Sequence, residues 1–527
     1  MAKSRRKTGK KKRMRGWHVL AVILAASLIL YTNRIGDAFG GFHGATNEAF
    51  YAELGRSIAK NPLSYPHLES GIIDNNIPPL TAYLLGFSFM AFGESEASAR
   101  IVPIIFSLAS TALIYTIGRR IYDKRTGLAA AAILAFTPMN VIVGRNVQTD
   151  PLFMALGLAG VYLYLAGGFM ATGLILGAAF TAKQPAVLFL IGLAALELMK
   201  GRWRNVLTLS LGFALASSPY AAYNILQNGD RFIGGQASRI MLPVSEEGGG
   251  LKDPQILLNE AFWGLSPLIA AVFTLGMLYA AYRRRKEDTL PIAFCALFIA
   301  FFLAYNKHSY YLLPLAPFAA LISARLLSNI KKEKLFAAAA ALLAISGAFY
   351  SVLMLCGNKY GYDEYRRLPQ LYDSGAKPVI LIDELIAGNY IDGLRYYNPA
   401  AEIVNIDRID ASVGETLPVD YNRTVYVLLH RSEIKIEKLP KAEQDRLLKS
   451  ASLTDRYSLV LFGIAIYEIP LNPHFFTNRP IHVSIAPPIT TFGIIRVAQT
   501  PELYLIRIAP GERLTKSEYG SFTMVRA

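Results

Sequence analysis

Long apolar runs separated by short polar connectors fill the chain as far as residue 356. The first, at 17–31 (WHVLAVILAASLILY), is followed by runs at 97–118, 127–143, 151–166, 168–182, 185–199, 205–222, 262–282, 289–305, 309–328 and 335–356. A membrane-spanning helix needs roughly twenty apolar residues, so the pattern predicts about eleven spans, several of them short. One further apolar run, at 80–92, is too short to cross and is predicted to lie as a re-entrant or interfacial helix in the first outer loop. Were it to cross, the basic stretch 119–125 (RRIYDKR) would fall on the outer side, against the charge rule.

Beyond residue 357 the period changes. Apolar or alternating runs at 378–382, 424–429, 459–467 and 503–508 read as strands, and 441–450 has a helical pattern. The predicted fold class is an α-helical polytopic membrane protein with a C-terminal extracytoplasmic α/β domain. Its parts are a basic cytoplasmic tail at 1–16, a transmembrane domain at 17–356 with outer loops at 33–96 and 223–260, and the outer domain at 357–527. No repeat of fixed period is visible.

Composition agrees with the pattern: 53% hydrophobic and 17% charged residues make a soluble chain of this length implausible. The net charge of +16 invites a nucleic-acid reading, but nine Lys and Arg precede the first apolar run and others cluster in short connectors such as 200–204, 283–286 and 331–334. That distribution is one of membrane orientation, with anionic lipid as a partner and no nucleic acid. It places the amino terminus in the cytoplasm of a multi-pass plasma or inner membrane protein. Residues 33–35 (NRI) lack a small-residue cleavage site, so the first run is predicted to stay as an anchor. Cys295 and Cys356 lie in apolar runs and give no disulfide framework.

Polar residues at membrane depth are functional candidates because they are costly there. With topology set by the basic connectors alone, Asn47, Glu48, Arg145, Asp150, Lys183 and Lys307 all come out at outer ends of spans or in outer loops. Each also has a structural reading. Glu48 suits the first turn of a helix, and Asp150 before Pro151 suits an N-cap. Arg145 and Lys183 suit snorkelling cations, and Arg100 suits pairing with Glu94 or Glu96. Lys307 and His308 precede Tyr310 and Tyr311 at the start of a span broken by Pro314. Carboxylates beside cations at a membrane surface suit transfer from a lipid phosphate: an acid takes the acceptor's proton and cations stabilise the departing phosphate. His43, His67 and His308 are too dispersed for a metal motif, and a divalent metal stays open. No phosphate-cradling Gly-rich loop is present, which argues against a nucleotide donor.

Several motifs occur in order: Asn47-Glu48 with Tyr51-Ala52-Glu53-Leu54 and Arg56; Pro78-Pro79-Leu80; Phe92-Gly93; Ala99-Arg100; Pro138; Gly144-Arg145; Asp150; and 307–317. Through them the chain resembles the multi-span glycosyltransferases that use polyprenyl-phosphate sugars, in particular the lipid A aminoarabinose transferase and protein O-mannosyltransferase group. The resemblance covers roughly 15–330, with the weak element Leu394-Arg395-Tyr396-Tyr397 in the tail. It implies an inverting single displacement from a polyprenyl-phosphate sugar onto a hydroxyl of a lipid, protein or glycan. Glu48, Asp150 and Asn47 become the catalytic candidates, and Arg100, Arg145, Lys183, Lys307, Tyr51, Tyr310 and His308 the candidates for donor phosphate and sugar. Two positions depart from the family pattern. Asn47 stands where the family has an Asp, and an amide accepts no proton at neutral pH; Ile77 stands where the family has a Lys before Pro-Pro. The alternatives are a lipid-linked sugar transporter or flippase, whose inverted repeats are not visible, and a catalytically weakened relative. An oligosaccharyltransferase catalytic subunit is set aside because Trp17, Trp203 and Trp263 form no Trp-Trp-Asp motif.

Overall fold

The computed structural model describes residues 2–39, 46–68, 77–229, 261–305, 309–357, 365–366, 368–372, 377–382, 391–405, 418–419, 423–430, 447–449, 456–461, 464–465, 467–471, 481–484, 493–497, 503–508, 512–516 and 522–526. These form two compact units. One comprises residues 1–36, 54–355 and 470–481, the other 37–53, 356–469 and 482–527.

The first unit is helical. Its helices are α1 (Ala2–Thr32), the later part of α2 (Thr46–Lys60), α3 (Leu80–Phe92), α4 (Glu96–Ile121), α5 (Lys124–Phe136), α6 (Pro138–Val143), α7 (Asp150–Leu165) and α8 (Phe169–Phe180). There follow α9 (Val187–Met199), α10 (Trp203–Asn228), α11 (Pro267–Arg283), α12 (Thr289–Tyr305), α13 (Leu315–Leu327) and α14 (Glu333–Gly357). Among the described residues four helices are both long and apolar enough to cross a membrane: 96–121, 203–227, 286–304 and 333–353. Seven more apolar helices run 10–17 residues. The chain is a mostly helical, multi-pass membrane protein.

Prolines set two breaks inside predicted runs. The run at 127–143 divides at Thr137, whose extended backbone (ψ 127°) is what a residue before Pro138 adopts. The run at 309–328 opens as a 3₁₀ turn, Ser309–Leu312, and becomes α13 only after Pro314. Elsewhere small residues let helices approach closely, as in other membrane bundles. A Cβ on Gly173 of α8 would lie 2.2 Å from the Leu209 carbonyl of α10, and one on Gly212 of α10 2.6 Å from the Met170 carbonyl. The core between α7, α9, α12 and α13 is aromatic: Phe153, Phe189, Phe294, Phe298 and Phe318 are linked by ring centroids 4.7–6.4 Å apart.

The second unit has a five-stranded mixed sheet. Strands β1 (Val379–Ile382), β2 (Glu402–Asn405) and β3 (Val425–His430) are parallel, with Val379 opposite both Glu402 and Val425. The sheet's last strand in sequence, β5 (Leu503–Arg507), runs antiparallel to both β3 and β4 (Leu447–Lys449), which gives the order β2–β1–β3–β5–β4. A short helix, α15 (Ile391–Tyr397), lies between β1 and β2 in the chain, which makes a parallel crossover unit. The four residues of β1 are all buried, as a central parallel strand requires. Residues 447–449, within the helix predicted at 441–450, are strand, and pairing with β5 overrides their local pattern; 441–446 and 450 lie outside the described residues. Phe39 belongs to this unit: its backbone N–H donates to the Tyr397 hydroxyl at 2.8 Å and its ring meets Tyr396 edge-on.

Candidate functional site

Turns that follow or precede α1, α7, α8 and α13 carry most of the predicted side chains, and hydrogen bonds knit them together. The turn after α1 is held first. Tyr31, fully buried, accepts from Asn140 Nδ2 at 2.7 Å, and the Gly144 carbonyl accepts from Ser107 Oγ at 2.9 Å. A Cβ at Gly144 would come within 2.5 Å of that Ser107 oxygen, so the tight turn before Arg145 needs glycine. The Arg145 guanidinium then donates to the Asn33 carbonyl. Arg100 Nη1 donates to the Ile35 carbonyl at 2.9 Å. Between these two carbonyls Arg34 is in the left-handed region, φ +55°, a conformation a non-glycine residue keeps only when its surroundings enforce it. Two buried cations thus converge on the carbonyl end of α1, where the helix dipole favours positive charge.

Of the two acids expected to pair with Arg100, Glu94 takes Arg56 instead, at 2.6 Å, while the Arg100 guanidinium donates to the backbone of the first turn. The N-cap expected at Asp150 is also corrected. Thr149 is the cap residue, Asp150 is the first helical residue and Pro151 the second. This frees the Asp150 carboxylate for a tertiary partner. Lys183 Nζ lies 2.7 Å from each of its oxygens, and the Asp150 side chain is 2% exposed.

Lys183 sits in extended backbone between α8 and the 3₁₀ turn Gln184–Ala186. Its ammonium lies over the rings of Tyr311 and Tyr310, 4.4 and 4.7 Å from their centroids, with Phe153 at 5.9 Å. An ammonium has three donors; two meet Asp150, and the third remains for an oxygen placed under the tyrosines. The same turn is bonded to the Pro-Pro-Leu motif, because the Leu80 N–H donates to the Thr181 carbonyl at 3.0 Å.

Beside that bond is a cavity of about 420 Å³ lined in part by Pro79, Leu80, Tyr83, Thr181 and Tyr220. Tyr65 and Tyr223 form part of its wall, stacked 4.5 Å apart and within 5° of parallel. The Tyr65 hydroxyl donates to the Ile77 carbonyl at 3.3 Å, tying the wall to the residue before Pro-Pro.

Of the predicted residues, Asp150, Lys183 and Tyr310 come together, and Arg100 and Arg145 come together on the turn at 33–35. Asn47, Glu48 and Tyr51 lie in the first turns of α2, in the part that belongs to the other unit. Glu48 is 1% exposed, so it is no surface carboxylate at a helix start. Lys307 and His308, like His43, lie outside the described residues. Sequence reasoning noted Tyr311 only as the second half of the Tyr310-Tyr311 doublet and passed over Phe153 and the Tyr65–Tyr223 stack. Among the described residues no cluster of three or more His, Cys, Asp or Glu has the form of a metal site.

Residues 76–219 match the family model described as dolichyl-phosphate-mannose-protein mannosyltransferase, a segment that contains Arg100, Arg145, Asp150 and Lys183. A protein of Aquifex aeolicus without an assigned activity is 24% identical over 340 residues, which span 59% of this chain and 65% of that relative. In fold the chain is similar to ArnT from Cupriavidus metallidurans, with a TM-score of 0.59 and 13% identity over 94% of this chain and 98% of that one. ArnT from the same organism bound to undecaprenyl phosphate matches with a TM-score of 0.57 and 13% identity, over 79% of this chain and 93% of that one. The archaeal oligosaccharyltransferase AglB from Archaeoglobus fulgidus, in complex with an inhibitory peptide and a dolichol-phosphate, matches at 0.51 with 14% identity over 80% and 70%. Over residues 76–219 the chain is thus similar to a mannosyltransferase family model, and its fold is similar to that of ArnT.

Proposed function

We propose that this chain transfers a sugar from a polyprenyl-phosphate carrier to an acceptor hydroxyl at the outer membrane surface. The observation that carries this reading is the Asp150–Lys183 pair, set under Tyr310 and Tyr311 on a turn bonded to the Pro-Pro-Leu motif. The similarity in fold to an ArnT structure that holds undecaprenyl phosphate supports the same donor class.

In the proposed step a lone pair of the acceptor oxygen attacks the anomeric carbon as the bond from that carbon to the phosphate oxygen breaks, with inversion. Glu48 takes the acceptor's proton, and Asn47 orients the hydroxyl without accepting the proton. The bonding electrons leave with the phosphate, whose new charge needs a fixed donor. Lys183 fits that need: Asp150 fixes the ammonium from one side, and its remaining N–H meets the phosphate. In the group this chain resembles, a lysine before Pro-Pro meets the donor phosphate; here Ile77 stands there, and Lys183 arrives from the turn bonded to Leu80. Arg100 and Arg145 shape the entry to the first outer loop through the carbonyls of residues 35 and 33.

The charge of the basic connectors supports an orientation with the amino terminus in the cytoplasm and residues 357–527 outside. The acceptor is a lipid, a protein or a glycan.

The test is the full chain in lipid with a radiolabelled polyprenyl-phosphate sugar and a panel of the three acceptor classes. The expected result is labelled product together with free polyprenyl phosphate. Movement of intact labelled lipid across vesicles, with no covalent product for any acceptor, overturns the reading in favour of a transporter.

A further inference from the structure

One end of the helical unit has a feature that sugar transfer does not use. The connectors after α4, α11 and α13 are all basic, and three side chains draw them together. Arg125 Nη2 donates to the carbonyls of Ser328 and Ile330 at 2.8 and 3.0 Å. Arg325 Nε donates to buried Asp288 at 3.1 Å, with its guanidinium 5.3 Å from the centre of the Tyr122 ring. The Tyr279 hydroxyl donates to Asn329 Oδ1 at 2.7 Å. These bonds leave Arg119 and Arg120, the run 283–286, and Lys331, Lys332 and Lys334 exposed on the same end, with Asp123, Glu287 and Glu333 the exposed acids of these connectors. Asp123 is already engaged as the cap of α5. The first helix meets this end too: a Cβ on Gly16 would lie 2.2 Å from Lys124 Cε.

The cations do not stand alone. Leu275, Leu278 and Tyr282, spaced i, i+3 and i+7 on α11, are 58%, 65% and 82% exposed and lead directly to Arg283. On α14, Leu335, Leu342, Ile345 and Phe349 are also exposed and lead back to Lys331–Lys334. Gly347 of α14 approaches Ile269 of α11. Each apolar stripe runs into its own cluster of cations. A nucleic acid or an acidic protein would match the charge and leave the stripes unused. An amphiphile with a negative head matches both.

We infer that this end of the helical unit is a seat for anionic phospholipids, with acyl chains along α11 and α14 and the headgroup phosphate on 283–286 and 331–334. The inference needs only the membrane character of the chain and is independent of its catalytic activity.

The test is thermal unfolding of the full chain in neutral detergent, titrated with phosphatidylglycerol or with phosphatidylcholine of the same acyl chains. Phosphatidylglycerol raises Tm, phosphatidylcholine does not, and the increment shrinks in high salt. The variant R283Q/R285Q/K331Q/K332Q keeps the Tm measured in phosphatidylcholine and loses the phosphatidylglycerol increment. If that variant does not fold, native mass spectrometry of the wild-type chain reads the same preference as retained anionic lipid. Equal Tm gains from the two lipids, equal retention of the two, or the same gain from heparin, overturns the inference.

Discussion

The Lys183 ammonium lies 2.7 Å from both carboxylate oxygens of Asp150, in a site where the carboxylate is nearly sealed from water. Removing one partner of a buried pair leaves the other charge uncompensated, at about 3–5 kcal/mol. Removing both charges avoids that penalty. Lys183→Met and Asp150→Asn should each lower thermal stability of the purified chain more than the double variant does. Additive losses would mean that the two side chains do not share their energy. In the transfer assay Lys183→Met should lose about 10²–10³ in kcat, the scale of one fixed donor to a developing anion.

Glu48 has a different signature. Replacing it with Gln keeps size and removes the charge, and with it the capacity to accept a proton, so kcat falls by about 10²–10⁴. Because Glu48 is 1% exposed, the rate is compared at a temperature where the variant is folded. Transfer at wild-type rate in Glu48→Gln would move the base to Asp150 or another group.

The helices were largely readable because apolar length and connector charge are local properties of the chain. The runs at 151–166, 168–182, 205–222 and 335–356 all correspond to helices with nearly those limits. The readings that failed concern partners. Asp150 before Pro151 has the sequence of a helix cap, and nothing local shows that Lys183, thirty-three residues on, will claim its carboxylate. Arg100 lies six residues from Glu94, yet the tertiary fold gives Glu94 to Arg56, and Arg100 reaches a backbone carbonyl. The strand at 447–449 was hidden for the same reason, since its partner β5 comes more than fifty residues later.

The crossing of α8 and α10 should be intolerant of side chains. Gly173 and Gly212 face backbone atoms of the opposite helix, which cannot swing away as a flexible side chain would. Gly212→Ala should cost about 1–3 kcal/mol through overpacking. Gly212→Leu should prevent recovery of folded protein. Gly201→Ala is not an equivalent control, because its φ of +69° penalises any side chain by another route. Gly36 has open space around it and φ outside the left-handed region, so Gly36→Ala should leave the midpoint nearly unchanged. Detergent-solubilised yield and unfolding midpoint of the three variants separate the cases.

In the sheet-bearing unit, Asp392 lies in the first turn of α15. Burial raises its pKa above the ordinary aspartate value, and the charge of Arg395 opposes that shift without cancelling it. A carboxyl that holds its proton more tightly folded than unfolded favours folding in acid. Its contribution is fully present below the unfolded pKa and is lost as pH rises through the folded one. The sign is opposite to that of a salt-bridged aspartate, whose stabilisation is lost as pH falls. Asp392→Asn removes the titration while keeping the polar head. Subtracting its pH–stability curve from that of the wild type should leave a difference that favours the wild type more at pH 4 than at pH 7. A difference of the opposite slope would show that Arg395 governs the ionised group in the folded chain, with burial secondary.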